Sequence, residues 1–374
     1  MRRIALAGVL ASAAIILTGA AVRLSQSGLG CPDWPACTST SIGAAGATGD
    51  SLIHRWIEFG NRLVTVAIFA IAVLVWVAAW RLRDDRTGRR RPDLIWLASA
   101  QPAAIVLQAV LGGIVVLTKL NPVWVSVHFV ASMAMVAAAV ALHVRCQEGS
   151  GPARWLVRPE LRLLAAGVVG VLAVMFAAGT VVTGTGPLAG ARSVARYHLP
   201  LTGVTQLHAD IGWLLAGLVI ALALGLRLSS APPRAARLGW ILLALIGAQG
   251  AVGYTQYFTG LPAGLVWVHV AGSVAIWITA LRLLFSLRDR GLAVMRAGKD
   301  GRVTQAQQAQ EVAQAGKAAA RAAQEGQAQE VAQAGRAAAR AAQEGQAQEV
   351  ASAGSATPAG QAGISGLSGN VPLR

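Results

Sequence analysis

The stretch Ile53-His54-Arg55-Trp56-Ile57-Glu58-Phe59-Gly60-Asn61-Arg62 stands at the entrance to a long apolar run. On a helix, His54, Glu58 and Asn61 fall at i, i+4 and i+7 and share one face, with Arg62 one turn beyond Glu58. The run is long enough to cross a bilayer, so a histidine, a carboxylate and a guanidinium are carried into hydrocarbon. Ionisable groups are costly there and mark a functional site by default. The plainer reading is a Glu58–Arg62 pair that neutralises itself and only fastens helices together. The placement of the other histidines weighs against stopping at that reading.

Outward from this stretch, the composition agrees with a membrane protein. The chain has 374 residues, 55% hydrophobic and only 13% charged, which is too apolar for a soluble domain. Its net charge of +16 does not point to nucleic acid, because the arginines cluster in short loops between apolar runs. The N-terminal run Ile4–Val22 is nearer a full span than a signal core and reads as the first helix. Seven more segments follow, near 54–80, 94–118, 123–145, 161–183, 205–228, 238–258 and 263–286.

Eight spans put both ends of the chain on one side. The loop Arg81–Arg91 carries six arginines against two aspartates; Arg145–Arg162 has four arginines and Arg227–Arg237 three. The opposite loops carry few positive charges. The positive-inside rule therefore places both termini in the cytoplasm.

The first outer segment contains Gly28-Leu29-Gly30-Cys31-Pro32-Asp33-Trp34-Pro35-Ala36-Cys37. Two cysteines six apart on the oxidising side read naturally as a Cys31–Cys37 disulfide. A metal site is the weaker reading, since no second thiol or histidine pair lies near. Cys146, at the inner end of helix four, is expected to stay reduced.

An internal repeat relates the two halves. Gln108 precedes His128 by twenty residues, and Gln249 precedes His269 by the same twenty; Gly112 matches Gly253, and Ser132 matches Ser273. Leu207-His208 corresponds likewise to Ile53-His54. With an even number of spans per half, the repeats are parallel. The expected fold is therefore all-α and integral to the membrane, with eight helices as two pseudo-twofold related four-helix bundles. The divisions fall at 1–160, 161–290 and a tail at 291–374. In the tail, Glu311–Gln329 and Glu330–Gln348 are nearly identical nineteen-residue units rich in alanine and glutamine and broken by glycine. They have almost nothing large and apolar to bury, which predicts a low-complexity cytoplasmic segment, transiently helical at most.

His54, His128, His208 and His269 each lie near the start of an even-numbered helix, hence at similar depth near the outer face. A lone histidine in a span usually bonds a neighbouring helix. Two imidazoles on facing helices are what a six-coordinate haem iron needs, and bundle cores are where such sites are built. Two such histidines per repeat make haem the better reading. His198, in an outer loop, and His143, at the inner end of helix four, read as ordinary polar residues, with His198 able to reach a propionate. Glu58 has no equivalent in the second half, where Gly212 stands four residues after His208 and the nearest acid is Asp210. This asymmetry suggests one working haem and one supporting haem, with Glu58 as a proton acceptor, water-orienting or charge-balancing group.

These residues resemble the haem A synthase family over about residues 4–286. The resemblance rests on Gly28–Pro35 with Cys37, on Glu58-x-x-Asn61-Arg62, on Val182-Thr183-Gly184-Thr185-Gly186-Pro187, on Gln206-Leu207-His208-Ala209-Asp210, and on the contexts of His128 and His269. It implies oxidation of the C8 methyl of the substrate haem O to the formyl group of haem A, the cofactor of terminal oxidases. It also implies a haem b held by His208 and His269 in the second half. The bilayer and haem O are the implied partners, with haem O synthase and terminal oxidase assembly factors as candidate protein partners. The family's helix-two motif is usually Glu-x-x-His-Arg, and here Asn61 stands at the histidine position. Either His54 pairs with His128, as the repeat favours, or His128 serves alone. The second half also lacks the outer-loop cysteine pair that some family members carry. A non-enzymatic di-haem b-type cytochrome or haem-handling protein is the alternative from another class. A small-solute transporter fits the repeat but not the shared depth of the four histidines.

Overall fold

Inside a bilayer no water satisfies backbone N–H and C=O groups, so apolar runs of this length become helices. The computed structural model describes residues 1–44, 50–84, 88–291 and 295–296, together with Gln333, Gly335 and Arg336. Among these it holds eight helices: α1 Arg2–Leu24, α2 Asp50–Arg81, α3 Pro92–Leu117, α4 Pro122–Arg145, α5 Pro159–Thr185, α6 Leu201–Leu228, α7 Pro233–Phe258 and α8 Ala263–Ser286. All eight are long and apolar enough to cross a membrane.

Proline sets several of the starts. It opens α3, α4, α5 and α7, where its missing N–H has no helical partner to lose. Asn121 caps α4 by accepting from the Val123 N–H at 3.0 Å. Helices α2, α6 and α7 begin four or five residues before their apolar runs do. A polar first turn is helical all the same, and hydropathy does not see it.

The chain divides into two units, of which the first, Met1–Gly298, is compact. Within the first unit, α1 touches α2, α2 touches α3, α3 touches α4, and α4 returns to α1. Helices α5 to α8 close a second ring in the same way. The rings meet where α4 packs on α5 and α8, and α1 on α8. At this seam Phe129, Phe176 and Trp277 meet edge to face, with centroids 6.5 and 5.2 Å apart. A buried indole N–H needs an acceptor. Trp277 Nε1 donates to the Met133 carbonyl of α4 at 2.9 Å, while the exposed Trp267 donates its Nε1–H to the Leu17 carbonyl of α1 at 3.0 Å. Inside the first ring Ala5, Ala72, Ala79 and Ala98 let the helices approach closely. Large side chains such as Leu10, Val66, Leu163 and Phe258 point outward, as lipid-facing residues do.

Two antiparallel pairs of two-residue strands, Arg83–Asp84 with Met295–Arg296 and Arg154–Trp155 with Arg288–Asp289, tie the loops after α2 and α4 to the segment after α8. Nothing in the sequence announces them, because two residues are too few for alternation to show. Cys146 is buried and free, and burial pushes its thiol up to about 11. The nineteen-residue units lie outside the described residues, apart from Gln333, Gly335 and Arg336.

Candidate functional site

The opening stretch forms the second to fourth turns of α2, and the shared face predicted for it is real. His54 Nδ1 lies 2.8 Å from Ser27 Oγ, Glu58 Oε2 accepts from the Cys31 N–H at 2.7 Å, and Asn61 Oδ1 accepts from Thr18 Oγ1 at 2.7 Å. All three partners belong to α1 or to the loop that follows it. Glu58 is only 5% exposed, and its other oxygen accepts from Arg62 Nη2 at 2.7 Å. Arg62 in turn donates to the carbonyls of Cys31, Asp33, Pro35 and Ala36 at 3.0 to 3.3 Å. The guanidinium is thus a clamp on the whole turn between the cysteines, its fork of donors suited to several acceptors at once.

That turn is closed by a Cys31–Cys37 disulfide, as the sequence predicts, and both cysteines are fully buried. It lies hard against α2: a Cβ on Gly30 would stand 2.4 Å from the His54 carbonyl oxygen, so only glycine permits this approach. The Trp34 ring rests on α3 at Gly113, where a Cβ would meet it at 2.8 Å. Carboxylate, guanidinium, imidazole and disulfide are therefore one assembly, which the sequence alone did not show. The self-neutralising Glu58–Arg62 pair exists, and it does more than lock two helices.

The four histidines are the fifth, seventh, eighth and seventh residues of α2, α4, α6 and α8. Equivalent depth follows from the shared start of the even helices. His208 and His269 face each other, with ring centroids 6.3 Å apart and planes tilted by 56°. Each ring lies over a glycine: a Cβ on Gly179 would meet His208 at 3.2 Å, and one on Gly253 would meet His269 at 3.3 Å. His128 lies over Gly112 in the same manner, at 3.5 Å. Gln249 Nε2 donates to the His269 carbonyl at 2.7 Å, and Gln108 Nε2 to the His128 carbonyl at 3.4 Å. The sequence match of Gln108, Gly112 and His128 with Gln249, Gly253 and His269 is thus a match of contacts.

The Nδ1 atoms of His128, His208 and His269 are buried without a partner. Two imidazoles sharing one metal from opposite sides, each nitrogen about 2 Å from it, have ring centres roughly 6 Å apart. His208 and His269 therefore fit a bis-histidine haem. Among the described residues theirs is the one ring contact between histidines; His54 and His128 are not brought into such contact. His198 is exposed, and Asp210 accepts from Gln206 at the surface. His143 is 6% exposed, with Nε2 3.1 Å from Gln147 Nε2. Ser27, Thr18 and Gly179 went unnoticed in the sequence, since single small residues without a repeat partner carry no pattern.

The profile of the cytochrome oxidase assembly protein family, COX15-CtaA, matches residues 2–281. The chain belongs to that family. Its relatives include a protein named heme A synthase from Geobacillus kaustophilus (strain HTA426), 31% identical over 109 residues, which is 29% of this chain and 30% of that one. The heme A synthase of Lysinibacillus sphaericus (strain C3-41) is 32% identical over 109 residues, covering 29% of this chain and 32% of its own length. That of Geobacillus thermodenitrificans is 29% identical over 109 residues, 29% of this chain and 30% of its own. The matched segment spans about a third of each of these relatives. The resemblance to haem A synthases drawn from the motifs is borne out.

Proposed function

We propose that the protein is a haem A synthase, oxidising the C8 methyl of haem O to the formyl group of haem A. The observation that carries this reading is the wiring of Glu58, one oxygen on Arg62 and the other on the backbone of the Cys31–Cys37 turn. A purely electron-carrying cytochrome has no use for a buried carboxylate joined to a disulfide. The names of the relatives point the same way.

His208 and His269 would hold the resident haem b, whose chemistry is one-electron transfer. His128, seated over Gly112 as His269 is over Gly253, and His54 would hold the substrate haem O. Glu58 is the proton-accepting group, because among the described residues it is the one buried carboxylate, and it stands one turn from His54 on α2. Arg62 fixes the Glu58 carboxylate and the turn together. Asn61 is a positioning residue that holds α2 to α1 through Thr18. Ser27 holds the His54 ring and leaves Nε2 to face a ligand.

We also read the two rings as parallel repeats, 1–160 and 161–290. The packing of α1 on α8 and of α5 on α4 is what such a repeat produces. Arg81, Arg145 and Arg227 close α2, α4 and α6, which supports cytoplasmic termini in a plasma-membrane protein. Haem O synthase and terminal oxidase assembly factors are the corresponding partners. The test is pigment extraction from the full chain purified after co-expression with a haem O-producing enzyme. Haems B, O and A together support the reading; haem B alone makes the protein a b-type cytochrome.

A further inference from the structure

At the end of the first ring away from the disulfide, the structure has a recess of about 690 Å³ that the chemistry above does not use. Five arginines line it, Arg89, Arg90, Arg91, Arg145 and Arg290, with Asp93 as the one acid among its described residues. Its floor is built rather than loose. Arg91 and Arg145 are 3% and 7% exposed, and both pair with Asp93, Arg91 at 2.7 Å. Glu148, just outside, is shared by Arg145 at 2.7 Å, Arg288 at 3.4 Å and Arg290 at 3.9 Å. Two carboxylates, Asp93 and Glu148, thus serve four guanidiniums, those of Arg91, Arg145, Arg288 and Arg290. Burial, and then the guanidiniums of Arg145 and Arg288, hold Arg290 below its ordinary value, so an anion there would relieve a cost already present.

The recess also sits at a definite depth. The Arg90 guanidinium lies 4.1 Å from the centre of the Trp80 ring. Trp80 at the end of α2 and Trp96 in the first turns of α3 are 48% and 78% exposed. Exposed tryptophans at helix ends mark the level of lipid headgroups. Basic pockets between transmembrane helices on the positively charged side recognise anionic headgroups, and an arginine fork suits phosphate oxygens.

We propose that this recess binds the phosphate of an anionic phospholipid from the leaflet that surrounds it. Lipid and free phosphate present the same oxygens; the headgroup depth commits the site to lipid. The experiment uses the full chain, purified and delipidated in detergent, with tryptophan fluorescence as readout. It is titrated separately with phosphatidylglycerol, phosphatidylcholine and inorganic phosphate. Each cation near an anionic lipid counts for roughly fivefold, so Arg89→Gln, Arg90→Gln and Arg290→Gln together should weaken phosphatidylglycerol binding about a hundredfold. The matching triple Lys variant, which keeps the charge, should stay within about tenfold of wild type. Phosphatidylcholine should bind no better to wild type than to the Gln variant. Equal phosphatidylglycerol binding by wild type and Gln variant overturns the proposal, as does inorganic phosphate that competes at the same concentration as lipid. If the Gln variant does not fold, wild-type phosphatidylglycerol binding that is indifferent to salt overturns it as well.

Discussion

In the second bundle, His208 and His269 face each other across 6.3 Å, each on a glycine bed, with no charged group among the described residues hydrogen-bonded to either Nδ1. In the first bundle, His128 has the same bed and the same glutamine contact, but His54 is tied to Ser27. One turn below His54, a carboxylate and a guanidinium are wired into a disulfide-closed turn. The repeated part, glutamine, glycine and histidine, supplies imidazoles at a set depth. The unrepeated part supplies groups that can hold a proton or a redox-sensitive bond. One scaffold thus carries two unlike sites, and the difference lies in what packs outside the helices.

The comparison breaks most completely at the second bundle. His269→Ala should abolish the low-spin b-type absorption of the purified protein, whereas His128→Ala should leave that band in place. An unchanged spectrum in His269→Ala would remove the haem assignment. At the first bundle, Glu58→Gln keeps the side-chain shape and an acceptor for the Cys31 N–H while losing the charge. Haem A formation should fall by about a hundredfold or more, the span attributed to a lost acid–base group, with the b-type band and the disulfide retained. Arg62→Ala separates the structural share of that effect. It strands a buried carboxylate and frees four carbonyls, costing about 3 kcal/mol, so Cys31–Cys37 should become reducible under conditions that spare the wild type. If Glu58→Gln keeps full haem A production, the carboxylate serves only the clamp.

Two smaller changes sharpen the comparison. Gly253→Ala puts a methyl 3.3 Å from the His269 ring. Overpacking of this kind costs about 1 to 3 kcal/mol and should shift or weaken the b-type signal. Gly112→Ala meets His128 at an ordinary 3.5 Å and should be milder. The reverse order would mean that the two beds are not equivalent. Asn61→Ala should cost about 1 kcal/mol through loss of the Thr18 hydrogen bond and leave every haem signal as it was. A changed haem spectrum in that variant would return position 61 to the ligand set.

Much of this architecture was legible because its causes are local. Apolar length dictates helices, and a fixed spacing of Gln, Gly and His recurs as a matched set of contacts. The face shared by His54, Glu58 and Asn61 follows from helical geometry alone, and the Cys31–Cys37 pairing from the nearness and compartment of the two thiols. What Arg62 does was not legible, because its acceptors are backbone carbonyls twenty-six to thirty-one residues away, and carbonyls have no sequence signature. Gly30 is in the same position, needed for the nearness of the His54 carbonyl rather than for any turn of its own.

The sequence by itself determined eight helices long and apolar enough to cross a membrane, and four histidines near the starts of the even-numbered ones, since length and spacing are properties of a chain read in order. Only the tertiary structure decided that His208 and His269 meet as rings while His54 and His128 do not, and that Glu58 belongs to the disulfide turn as much as to its helix. Those outcomes depend on helix rotation, on glycines that leave room across an interface, and on which carbonyls a buried guanidinium can reach.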